Sequence, residues 1–207
     1  MKYDLLVKNV LKESKTYTED FWYNKIEEHG PVYGYGEKYY PNKLYNLVVS
    51  KIKDIPKDGY IVLMGTHKCV SFNKLINIFG AERCIGIDLG NPTNNPRVKI
   101  KNILDFDETD DIPIAFSHND LGSYTIAPLA KIKAQIWLAK NTVNGGYVLS
   151  RNNLNTIKFP AEEYMSEMEF INTSLKMLEG FIDLTSIDDN ILQSHMLSKK
   201  SKPEIWK

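Results

Sequence analysis

Residues 60–88 read YIVLMGTHKCVSFNKLINIFGAERCIGID. An apolar run, YIVLM, breaks at Gly65, and after a short polar loop the pattern turns helical from about Ser71. A second apolar run, CIGID, ends in Asp88. Both runs are continuous rather than alternating, as in strands buried on both faces of a parallel sheet covered by helices.

The same rhythm continues downstream with VKI (98–100), IPIAF (112–116) and GYVLS (146–150). Helical patterns separate the runs: SFNKLINIF (71–79), IAPLAKIKAQIWLAKN (126–141), and AEEYMSEMEFINTSLKMLEG (161–180), which closes on a glycine suited to a C-cap. The link KNILDFDETDD (101–111) has room for one helical turn at most. After Gly180, FIDLTSIDDNILQSHMLSKK joins two strand-like pieces through Asp-Asp-Asn, a turn composition that predicts an antiparallel hairpin. The class is therefore α/β: a three-layer sandwich around a mostly parallel seven-stranded sheet with a C-terminal antiparallel hairpin.

Upstream, EDFWYNKIEE and NKLYNLVVSKIK carry helical apolar spacing, and the glycine-punctuated HGPVYGYGEKYY between them is irregular. Residues 1–41 are expected to form an N-terminal helical and aromatic appendage or lid, residues 42–200 the sheet domain, and residues 201–207 a polar tail. Lys199, Lys200 and Lys202 are expected to be solvated with that tail. Trp137, on the apolar face of its helix, is expected in the core.

The 207 residues, 43% of them hydrophobic, suffice for one good-sized core. Lys plus Arg (26) balances Asp plus Glu (26), so no global field draws the chain to nucleic acid or anionic lipid. Cys69 and Cys84 form no disulfide framework and no C-x-x-C knuckle, and read as buried reduced thiols. With no apolar stretch of bilayer length and no signal-peptide pattern at the start, a soluble cytoplasmic protein is expected.

In open α/β sheets, ligands bind beyond the carboxyl ends of the strands, near the point where strand order reverses. The residues following the five runs are Gly65-Thr66-His67-Lys68, Asp88, Asp105-Phe106-Asp107, Ser117-His118-Asn119-Asp120 and Ser150-Arg151-Asn152. An acidic residue about 20 positions past a glycine turn is where the ribose hydroxyls of a nucleoside cofactor are held. Asp88 has that position. The carboxylate cluster after the third run strengthens the pattern.

In order and spacing of elements, residues 42–200 resemble the class I S-adenosylmethionine-dependent methyltransferases, whose sheet ends in a reversed hairpin where a dehydrogenase-type domain continues with a parallel strand. The resemblance implies S-adenosylmethionine as cofactor. It places the methionine moiety against Gly65, Thr66 and His67 through Lys68, the ribose on Asp88, and the adenine amino group on Asp105 with Phe106 flanking the ring. Asn119 and Asp120 match the motif after strand four, beside the methyl group. The family pattern of an acidic residue followed by G-x-G-x-G is not kept: Leu63 or Met64 stands near the acidic position, and Gly65 is the only glycine from Tyr60 to Phe79. The loop must then turn differently or leave less room for a ligand.

His118 is a candidate general base for a substrate hydroxyl at neutral pH, with Asp120 beside it. Its other reading is a strand-end histidine bonded to the backbone. Asp120 with Asp88, His118 or Asn119 suits a divalent cation, although no metal is part of the expectation. Tyr35, Arg151 and Asn152 are candidate substrate contacts on the same rim. The sequence S-H-N-D lacks the N-P-P-Y form of amino-group methyltransferases, so the expected reaction is methyl transfer to a small molecule, on oxygen. The alternatives are a degenerate methyltransferase-like module kept for interaction or assembly, and an NAD-dependent oxidoreductase. The expected partner is a small-molecule substrate, not nucleic acid or membrane, and a homo-oligomer is compatible with the composition.

Overall fold

The computed structural model describes residues 40–52, 54–121, 128–151, 181–184 and 195–201. The third helical pattern at 161–180 and the N-terminal segment before Tyr40 lie outside these residues, as does the Asp-Asn turn of the hairpin.

Helix α1 (Tyr40–Lys51) has Pro41 in its first turn, where a missing N–H costs no intrahelical bond. It buries Leu44, Tyr45 and Val48, one stripe of its surface. Strand β1 (Tyr60–Met64) follows, then α2 (Val70–Phe79), which turns Ser71, Phe72 and Leu75 inward. Gly80 closes α2 at φ 89°, its N–H donating to the Ile76 carbonyl. Strands β2 (Cys84–Asp88) and β3 (Val98–Ile100) come next, then two short 3-10 turns, Ile103–Asp105 and Glu108–Asp110. Strand β4 (Ile114–Asn119), helix α3 (Pro128–Asn141) and strand β5 (Thr142–Arg151) complete the parallel part. Strands β6 (Phe181–Asp183) and β7 (His195–Lys200) end the sheet.

The sheet has seven strands in the order β3-β2-β1-β4-β5-β7-β6. β1 pairs in parallel with β2 and β4, β2 with β3, and β4 with β5. β7 is antiparallel to both β5 and β6, so it alone runs against the rest. The chain winds outward from β1 to β3, then crosses back to β4 on the other side of β1. The order therefore reverses between β1 and β4, and the carboxyl ends of such strands are where ligands bind in open α/β sheets.

Side chains alternate across each strand. His118 meets Tyr45 of α1, whereas its neighbour Asn119 meets Lys131 and Gln135 of α3. Helices α1 and α2 thus cover one face and α3 the other, giving three layers. The first face is filled by Leu44, Tyr45, Val48, Ile61, Leu63, Phe72, Leu75 and Phe116. Each fully buried side chain of this kind contributes about 2 kcal/mol of transfer free energy. Cys69 and Cys84 are buried free thiols, and Trp137 is 2% exposed, both as the sequence predicts.

Two expectations are corrected. The fourth strand continues through Asn119, because β1 and β5 both extend alongside: Leu63 pairs with His118 and Met64 with Asn119, while Leu149 and Ser150 do so from the other side. Polar residues there are strand residues, not the start of a loop. Lys200 is likewise no solvated tail residue. It ends β7 at 6% exposure, with its ammonium donating to the carbonyls of Ala139 and Lys140 in the last turn of α3 and of Thr142 at the start of β5. Those carbonyls have no intrahelical donor, and the cation also complements the negative end of the helix. Burial lowers the Lys200 pKa below its ordinary value.

Candidate functional site

The loop after β1 is built on left-handed backbone at alternate positions. Gly65 has φ 84°, His67 φ 48° and Cys69 φ 61°. Only the first is a glycine, and for His67 and Cys69 the conformation costs about 1 kcal/mol each. The spacing is that of G-x-G-x-G with its second and third glycines replaced. Two side chains, His67 and Cys69, thus stand on left-handed backbone in the loop after β1. Gly65 itself is irreplaceable on steric grounds, since a Cβ there would lie 2.8 Å from the Asp120 carbonyl oxygen.

Hydrogen bonds hold this costly backbone in place. The Gly65 N–H donates to the Ile87 carbonyl at 2.8 Å, and the Cys69 N–H to the Thr66 carbonyl at 2.7 Å. The His67 N–H donates to Asp88 Oδ2 at 2.7 Å, and the Thr66 hydroxyl reaches the same oxygen at 3.3 Å. Asp88 Oδ1 accepts from the Leu89 N–H at 2.7 Å. A carboxylate offers about four acceptor positions. Three are used here, which leaves one on Oδ1 for a ligand hydroxyl. Thr66 is wholly buried, its methyl lying over Gly86, where a Cβ would come within 2.5 Å of Thr66 Cγ2. The thiol of Cys69 accepts from Thr93 Oγ1 at 3.1 Å, which ties the loop to the β2–β3 connection.

Just past the β1–β4 ladder, the Asp120 N–H donates to the Met64 carbonyl at 2.9 Å. The Asp120 carbonyl lies 3.3 Å from His67 Nε2. A carbonyl only accepts, so Nε2 carries the proton in that contact. The side chain of Asp120 is half-buried at the rim. Asp88, Asp120 and the loop from Gly65 to Cys69 are thus brought together around the switch point.

The other strand-four candidates turn away from the rim. His118 is 1% exposed, and its Nδ1 lies 2.7 Å from the Tyr45 hydroxyl, the rings meeting edge-on at 83°. Burial, with the Asp120 carboxylate second, raises the Tyr45 pKa well above 10.0, against a lowering hydrogen bond from Ser71. Tyr45 therefore keeps its proton, and its hydroxyl shares a hydrogen bond with Nδ1. Asn119, fully buried on the opposite face, donates to Gln135 Oε1 at 3.0 Å and to the Lys131 carbonyl at 3.3 Å. Ser150 Oγ also donates to Gln135 Oε1, at 2.8 Å.

Asp105 is exposed in its 3-10 turn after β3. Phe106 next to it is 6% exposed, edge-on to Trp137 at 5.1 Å and covered by the Lys101 ammonium. Its ring belongs to the layer under α3. Arg151 is described by its backbone, which pairs with His195 in the sheet. Tyr35 and Asn152 lie outside the described residues. Among the described residues, no group of three or more His, Cys, Asp or Glu is placed to hold a metal ion, and no helix is long and apolar enough to cross a membrane.

Sequence reasoning missed Tyr45 and Gln135, which fix the orientation of His118 and Asn119. Each had a signal: a hydroxyl in the apolar stripe of LYNLVV, and a lone amide inside AQIWLA.

No protein-family model and no curated protein matches the chain. Solved structures do match its fold. An S-adenosylmethionine-dependent methyltransferase from Clostridium acetobutylicum ATCC 824 aligns with TM-score 0.54 and 11% identity over 81% of this chain and 93% of that one. DesVI from Streptomyces venezuelae aligns with TM-score 0.53 and 9% identity over 79% of this chain and 91% of that one. The chain has the fold of the class I S-adenosylmethionine-dependent methyltransferases.

Proposed function

We propose that this chain is an S-adenosylmethionine-dependent methyltransferase that acts on a small molecule, with oxygen as the acceptor atom. One observation supports the reading: the sheet has the order β3-β2-β1-β4-β5-β7-β6 with β7 alone reversed, and Gly65 and Asp88 stand at the carboxyl ends of β1 and β2 beside the point where that order reverses. The residues fit the cofactor. Asp88 keeps one acceptor position for a ribose hydroxyl, and Asp105 offers an exposed carboxylate to an adenine amino group, while Gly65 is buried against the Asp120 backbone.

The cofactor supplies an electrophilic methyl group on a sulfonium. The chain's work is then to align the acceptor in line with that methyl, to exclude water and to take a proton. Asp120 is better placed for the proton than His118, because it stands at the rim while His118 lies behind it against Tyr45. His118 with Tyr45 supports the floor of the crevice. Asn119, held by Gln135, supports its other wall.

A second reading, a module that has given up its cofactor, is favoured by the three donors already on Asp88. Titration of the full chain with S-adenosylmethionine and S-adenosylhomocysteine separates the two. Binding that Asp88→Ala abolishes supports the enzyme; heat evolved by neither ligand leaves the interaction module.

A further inference from the structure

His67 touches three strand ends at once. Its backbone lies in the loop after β1, its N–H is bound to the Asp88 carboxylate at the end of β2, and its ring reaches the Asp120 carbonyl just past β4. The left-handed φ of 48° directs the side chain this way. A glycine at this alternate position would leave bare backbone facing the crevice, whereas His67 lays an imidazole from the β1 loop to the far side of the switch point.

We propose that His67 is the residue that sets how readily the crevice accepts its cofactor, its ring acting as a strap between the β1 loop and Asp120. The inference rests on the proposed cofactor reading and deepens it. A ligand entering between the loop and Asp120 must displace the ring and break its hydrogen bond. The backbone that the ligand then meets is already shaped, because positions 65, 67 and 69 share the left-handed conformation without the ligand's help. The strap therefore lowers affinity without altering the cradle beneath it, and its removal raises affinity rather than destroying the site.

The test is calorimetric titration of the full chain and of His67→Gly with S-adenosylhomocysteine. Glycine adopts the required φ at no steric cost and cannot reach Asp120. His67→Gly is expected to bind at least about fivefold more tightly, the factor that one hydrogen bond of ordinary net worth makes in a binding constant. Should His67→Gly lose its cooperative unfolding transition, His67→Asn serves instead, since asparagine tolerates the left-handed region and its shorter side chain stops short of Asp120. Equal or weaker binding by the variants overturns the strap and leaves the cofactor reading standing. Binding by none of the proteins overturns both.

Discussion

The His67 N–H and the Asp88 carboxylate lie 2.7 Å apart, so the loop after β1 is held by the end of β2. The acid expected to hold a ribose also holds the turn that would receive the rest of the cofactor. On the proposed reading, one side chain would couple loop shape to ligand binding. Asp88→Ala should lose stability as well as affinity: about 2 kcal/mol from denaturant unfolding, the worth of hydrogen bonds to a charged acceptor. Unchanged stability would mean that the loop holds its left-handed backbone unaided.

Gly86 and Thr66 supply a steric counterpart to that bond. A Cβ at Gly86 would meet Thr66 Cγ2 at 2.5 Å and Val98 Cγ2 at 3.0 Å. Gly86→Ala should cost about 1–3 kcal/mol, as overpacking does. Thr66→Ser removes the clashing methyl and keeps the hydroxyl, so it should recover part of that loss in the double variant. Additive costs in the cycle would contradict the packing described.

Tyr45→Phe removes the hydroxyl that faces His118 Nδ1 at 2.7 Å inside the α1 layer. A buried ring nitrogen that loses its partner costs about 1–3 kcal/mol. Urea unfolding should show that loss with little change in its denaturant slope. A variant as stable as the parent would show that Tyr45 contributes through its ring alone.

Alkaline pH should weaken the fold through Cys84. Burial first, then the Glu82 carboxylate, pushes its thiol up from 9.0 to about 11, against Arg83 and Arg97. The unfolded chain releases this proton at lower pH than the folded one. Stability contributed by the neutral thiol is therefore full below pH 9 and is lost as pH rises to about 11. Tyr45, also raised, adds to the loss above pH 10. Denaturation midpoints across this window should fall less steeply in Cys84→Ala, and equal slopes would exclude Cys84 as the cause.

The strands were legible because their runs are apolar without interruption, and Asp88 because it ends such a run. What escaped was set by partners distant in sequence. Ser117, His118 and Asn119 are polar, yet they extend β4 because β1 and β5 supply ladder partners on both sides. The left-handed φ of His67 and Cys69 has no residue signature; it goes with backbone bonds from the His67 N–H to Asp88 and from the Cys69 N–H to Thr66. Lys200 looked solvated because its carbonyl partners lie in α3 and at the start of β5, about 60 residues back. Phe106, expected beside an adenine, is drawn inward by Trp137.

The most direct test of the central proposal is a thermal-shift titration of the unaltered chain with S-adenosylmethionine, S-adenosylhomocysteine and NAD. A ligand that binds the folded state alone raises the midpoint in proportion to the logarithm of its concentration above Kd. Stabilisation by the two sulfur nucleosides and not by NAD is the expected result. Stabilisation by NAD alone, or by none of the three, would contradict it.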